Sequence, residues 1–136
     1  MLQKINLFIL FIGLATIGFS QSEDIKPCGQ LPYATPTVKA KCENDMQKIL
    51  SANLPATFKK DKSYNSSFKL IIDCNGRIDM VIYKNGNFTE AQQKHFLTLI
   101  NTLKDWKAGQ VDGKDVSTTV YITIDVNNRL VDVKQY

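Results

Sequence analysis

The chain has 136 residues, 43% of them hydrophobic, with 17 basic against 13 acidic side chains, a single histidine and a net charge of +4. That length fits one domain with a modest core, and the mild, scattered positive charge argues against a nucleic-acid-binding face. One histidine beside three cysteines in no zinc-like spacing leaves no metal cluster to assemble.

Residues 1–20 read as an export signal: Lys4 precedes an apolar run from Ile5 to Phe19, and the small residues Gly18 and Ser20 stand before Gln21. The run is 15 residues long. A membrane-crossing helix needs about 20 residues, so cleavage is expected, with no stable membrane insertion afterwards. Removal would leave 116 residues carrying +3. Residues 21–36 are polar, hold Pro27, Pro32 and Pro36, and show no periodicity, which predicts an extended arm. The folded domain is expected over 37–136.

Within it, Met46, Ile49, Leu50 and Leu54 repeat at helical spacing, and Pro55 stops that helix because it disfavours helical geometry in the residue before it. The Lys59-Lys60-Asp61-Lys62 run reads as a solvated loop, continuing through Ser66. Phe68, Leu70 and Ile72 then alternate as a strand up to Asn75-Gly76, a pair that tolerates positive φ and closes a hairpin. The return strand carries Ile78, Met80 and Ile82 opposite Val81 and Tyr83, and a second Asn85-Gly86 ends it. Thr89 with Gln92 three residues on forms a capping-box pattern, predicting a second helix buried through Phe96, Leu99, Ile100 and Leu103.

From Trp106 to Asp115 a loop is expected, with Trp106 as an apolar plug and Gly109 and Gly113 supplying unusual backbone angles. A long strand follows, with Val116, Thr118, Val120, Ile122, Ile124 and Val126 on one face. Asn127-Asn128 separates it from a last strand, Arg129 to Tyr136. The class is therefore α+β: a small antiparallel sheet of three to four strands with two helices on one face. The expected strand order is two, one, three, which leaves the third strand as an edge unless the final segment covers it.

Cys28, Cys42 and Cys74 all fall in the exported part, so one disulfide and one leftover thiol are expected. Cys28 with Cys42, or Cys42 with Cys74, are the candidate pairs. No catalytic constellation is legible: His95 has no carboxylate beside it, and there is no P-loop or GxGxxG, so neither an enzyme nor a cofactor is expected. Asp73-Cys74-Asn75-Gly76-Arg77 opens like a calcium loop but lacks the later ligands and runs into a strand, so it reads as a turn. Asn65-Ser66-Ser67 and Asn87-Phe88-Thr89 match the glycosylation triplet.

Three segments, MQKILSANL from Met46 to Leu54, FKLIIDCNGRIDMVIY from Phe68 to Tyr83 and the stretch from Trp106 to Val116, together resemble the C-terminal domain family of the energy-transducing protein TonB, in the form common among exported bacterial proteins. The carriers are Asp73 and Gly76 of a D-x-x-G turn, and Trp106, Gly109, Gly113 and Val116 of a W-x-P-G-x-x-x-G-x-x-V pattern in which Ala108 replaces the proline. The resemblance implies a protein- or peptide-binding module in the periplasm or outside the cell, linked to TonB-dependent transport across the outer membrane. Its partner would be an extended peptide, of the kind an outer-membrane receptor offers, added as a strand to the sheet edge. Thr119, Tyr121 and Thr123 on the third strand are then the candidate contacts. A transducer also needs a retained membrane helix and a long Pro-rich linker, and neither is expected here. The alternative is a secreted structural or inhibitor-like protein whose edge is closed by its own C-terminal strand.

Overall fold

The computed structural model describes residues 28 and 31–136, so the expected signal at 1–20 and most of the arm before residue 31 lie outside the described residues. In chain order the elements are β1 (Lys41–Cys42), α1 (Met46–Ala52), β2 (Ser63–Ile72), β3 (Ile78–Gly86), α2 (Glu90–Asn101), β4 (Trp106–Lys107), β5 (Gly109–Val111), β6 (Lys114–Val116), β7 (Thr118–Asn127) and β8 (Leu130–Gln135). They form an α+β fold around a four-stranded antiparallel sheet of order β3-β2-β7-β8, with two small ribbons, β1-β4 and β5-β6.

Both helices begin where a side chain can take up a free amide. Asp45 accepts from the Lys48 amide at 3.0 Å, and α1 ends at Asn53, two residues before Pro55. The capping box forms at α2: Thr89 Oγ1 accepts from the Gln92 amide at 3.3 Å, and the Thr89 amide donates to Gln92 Oε1 at 2.9 Å. Leu50 of α1 and Phe96 and Ile100 of α2 enter a single core with the even-numbered residues of β2 and β7. Both helices thus cover one face of the sheet. Phe58 sits at the centre of an aromatic cluster, edge-on to Phe88 at 5.1 Å and to Phe96 at 5.6 Å between ring centroids.

β2 starts earlier than its apolar pattern predicts. Ser63 to Ser67 are polar, yet they pair with Asn127 through Thr123 of β7, and their polar groups are satisfied locally. The Asn65 amide donates to Asn87 Oδ1 at 2.8 Å, and buried Ser66 Oγ accepts from the Phe88 amide at 3.3 Å. Ladder bonds on both sides outweigh the weak strand propensity of Asn and Ser.

β3 also departs from the expected facing. Its register against β2 skips at Asp79 and at Lys84, and each bulge reverses the side-chain alternation. Ile78, Val81 and Tyr83 consequently pack against the core, whereas Met80 and Ile82 lie on the open face, 46% and 38% exposed.

The segment after Trp106, expected as a loop, folds into β4, β5 and β6. The β5-β6 ribbon turns at Asp112 and Gly113, both at positive φ (50° and 77°), a geometry suited to the right-handed twist of a two-residue hairpin. Gly76, at φ 72°, has a different reason to be glycine: a β-carbon there would overlap the Trp106 carbonyl oxygen. The tip of the β2-β3 hairpin is thereby pressed against β4. At the other end of the molecule the β7-β8 turn falls at Asn128-Arg129, one residue later than expected, with φ of 51° and 63°.

Neither candidate cysteine pair forms. The disulfide joins Cys28 to Cys74, while Cys42 is buried and free. The reason is the facing of β1: pairing of Cys42 with Trp106 across β1-β4 turns its side chain into the core, away from the hairpin tip where Cys74 stands.

Candidate functional site

Strand β7 has β2 on one side along its whole length, from Thr118 opposite Ile72 to Asn127 opposite Ser63. Its other side is the margin at which a partner strand would add. There β8 pairs with it from Ile122 opposite Gln135 to Asn127 opposite Leu130. Beyond β8, Tyr121 and Tyr136 exchange both main-chain bonds, at 3.2 and 2.8 Å. Further along, the Thr119 amide donates to the Tyr33 carbonyl at 3.0 Å and the Tyr33 amide to the Ser117 carbonyl at 2.8 Å. Two distant parts of the chain, the arm and the last strand, therefore occupy the same margin.

Thr119, Tyr121 and Thr123 share the sheet face opposite the helices. Tyr121 is exposed and both threonines are half-buried. Their side chains remain available, but the Thr119 amide already bonds to the Tyr33 carbonyl, Tyr121 exchanges both main-chain bonds with Tyr136, and Thr123 pairs with Lys134. Since added strands bind chiefly through main-chain bonds, no peptide can join at β7 without displacing part of the protein.

The other motif residues are structural in position. Asp73 Oδ1 accepts from the Asn75 and Arg77 amides at 2.8 and 2.9 Å, fixing the turn that presents Gly76 to Trp106. Trp106 is 6% exposed, and its indole nitrogen has no hydrogen-bond partner among the described residues. Gly109 lies against Thr118, where a β-carbon would collide with the threonine methyl, and Val116 is fully buried.

Two devices hold the closing segments. Arg129 spans from the β7-β8 turn to the loop after α1, its guanidinium donating to the carbonyls of Phe58, Pro55 and Leu54 at 2.8, 3.3 and 3.4 Å. Those charge-assisted bonds offset the cost of a left-handed backbone at a branched-chain-free but bulky residue, about 1–2 kcal/mol. The Cys28–Cys74 bridge ties the arm to the hairpin tip just before Tyr33.

Among the described residues, His95 and the free Cys42 thiol are each held in a structural setting. His95 Nε2 donates to the Asn53 carbonyl at 2.8 Å, and its ring lies edge-on to Phe96. Burial raises the Cys42 thiol above its ordinary pKa, with Asp105 and Glu43 adding to the effect, which keeps it a protonated, poor nucleophile. Among the described residues no group of three or more His, Cys, Asp or Glu side chains is placed to hold a metal ion, and no helix is long and apolar enough to cross a membrane.

No protein-family model, curated protein or solved structure matches this chain.

The part played by the arm is what the sequence reading missed. Just beyond the arm, residues Lys39 to Glu43 alternate, with Ala40 and Cys42 buried and Lys39, Lys41 and Glu43 exposed. That period of two was present in the sequence as a short strand signal, but too short to stand out from a proline-containing lead-in.

Proposed function

We propose that this protein is an exported, non-enzymatic protein-binding module of the TonB C-terminal type in which the strand-accepting margin is held shut by the chain's own arm and last strand. The observation that carries this reading is the reciprocal pairing of Tyr121 with Tyr136, continued by β8 on one side and by Tyr33 on the other. The order helix, hairpin, helix, long strand, with the Asp73–Gly76 turn seated on Trp106, supports the family assignment. The Cys28–Cys74 disulfide supports an oxidising, extracytoplasmic setting. A margin that is occupied does not receive a receptor peptide, so coupling to outer-membrane transport requires the tail to leave.

The test is truncation before Leu130 and a synthetic peptide of sequence LVDVKQY, identical to residues 130–136. The truncated protein is expected to stay folded and to bind the peptide, whereas the full chain does not. A truncated protein that is unfolded by circular dichroism would favour the second reading, a structural or inhibitor-like protein in which β8 is an integral strand. That reading draws on Val131, which is buried in the common core, and on Val133, which packs against it.

A further inference from the structure

A groove of about 690 Å³ lies on the far side of the molecule from the β7-β8 turn, between the arm, the tip of the β2-β3 hairpin and the strand that starts at Trp106. Three lysines line it: Lys39, Lys41 and Lys107. Across the β1-β4 ribbon, Lys41 stands directly opposite Lys107, a pairing of like charges that weakens a two-stranded ribbon. Glu43 compensates only one of them, by its 3.1 Å ion pair with Lys107. Asp115, the other carboxylate in the groove, accepts instead from the Gln110 amide group at 2.9 Å. Among the described residues neither Lys39 nor Lys41 has a carboxylate partner.

The walls are fixed by features independent of those charges. Gly76 touches the Trp106 carbonyl, the Cys28–Cys74 bridge anchors the hairpin tip to the arm, and Val38 exchanges main-chain bonds with Gln110 at 3.0 and 2.8 Å. A groove with fixed walls, whose cations outnumber its carboxylates among the described residues, is preorganised for an anion, because little ordering is left to oppose binding. Lys39 and Lys41 are two residues apart on an alternating stretch, which spaces them by about 7 Å along the groove. Carboxylates at alternate positions of an extended chain have the same spacing.

We infer that this groove binds an extended acidic peptide segment of a partner protein, with side-chain carboxylates at alternate positions meeting Lys39 and Lys41. This rests on the reading of the chain as a protein-binding module but uses no part of the β7 margin. A single-stranded nucleic acid fits less well, since its bases need exposed aromatic platforms and Trp106 is 6% exposed.

Binding is followed by isothermal titration calorimetry, because Trp106 borders the groove but is only 6% exposed. The full chain, tail in place, is titrated with an end-capped peptide of alternating glutamate and threonine, with the same peptide carrying glutamine for glutamate, with inorganic phosphate and with a short single-stranded oligonucleotide. The acidic peptide is expected to bind, and to bind more weakly as salt is raised. Joint reversal of Lys39→Glu and Lys41→Glu weakens it by about tenfold or more. The matched reversal of Lys60→Glu and Lys62→Glu, at the opposite end of β2, leaves affinity within about twofold at equal net charge. Lys41→Gln provides a milder check, because it removes the like-charge pair and so lowers affinity without lowering the melting temperature. Equal weakening by both double reversals, or phosphate, the glutamine peptide or the oligonucleotide binding as tightly as the acidic peptide, would overturn the proposal. None of these outcomes bears on whether a tail-truncated protein accepts LVDVKQY, so the two readings fail separately.

Discussion

Two strands of the sheet make a contrast: β7, whose flank away from β2 is covered by two segments of the chain, and β3, one of the two outer strands, beyond which no strand of the described residues lies; they are protected from unwanted pairing in different ways. At β7 the main-chain groups are paired, by Tyr33, Tyr136 and β8. At β3 no other strand of the described residues lies on the outer side, and the protection is conformational: bulges at Asp79 and Lys84 put a charged residue at each end and leave Met80 to Tyr83 as the regular run. The lesson is that occupation and distortion are alternative solutions to one problem. Occupation can be reversed by moving a segment, whereas distortion is built into the strand.

The largest effect is expected from loosening the covered flank at its covalent anchor. Replacing Cys28 and Cys74 by serine removes a bridge spanning 46 residues and lowers unfolding free energy in urea by ~2–4 kcal/mol. Hydrogen exchange at the Thr119 amide should quicken far more than at amides bonded to β8, since the freed arm carries Tyr33. If exchange accelerates uniformly, the arm is not a separate cover.

Arg129 comes next. Arg129→Ala loses the guanidinium bonds to three carbonyls and is expected to cost about 2 kcal/mol by denaturant midpoint. Arg129→Gly loses the same bonds but relieves the backbone at φ 63°, and should be the more stable of the two by about 1 kcal/mol. A glycine variant no better than alanine would show that the turn carries no strain.

The smallest change in stability, and the sharpest contrast, is expected at the uncovered strand. Asp79→Val with Lys84→Val should leave unfolding free energy within about 0.5 kcal/mol yet produce self-association measurable by light scattering. A monomeric double variant would mean that the bulges alone protect β3.

Much of this architecture was legible in the sequence, and the parts that were not share a physical cause. The helix start at Thr89 depends on local side-chain chemistry, and the facing of β7 from Thr118 to Val126 on a period of two, so both could be read from neighbouring residues, whereas the break at Ser117 that separates β6 from β7 could not. The β3 facing, the early start of β2 and the Cys28–Cys74 pairing depend on register against strands remote in sequence. A single skipped residue at Asp79 moves Met80 from the core side to the open side, and no local pattern records it. The candidate site was legible to the same extent: β7 and its outward residues Thr119, Tyr121 and Thr123 were identified, but the arm that covers Thr119 was not.

The pairing of Tyr33 with Thr118 also bears on the expected order of folding. A segment that bonds to the flank of β7 finds its template only after β7 has docked on β2, a contact whose partners, such as Ser63 and Asn127, lie far apart along the chain. Such distant pairings are slow to nucleate. The arm is therefore expected to dock late, after β7 has paired with β2.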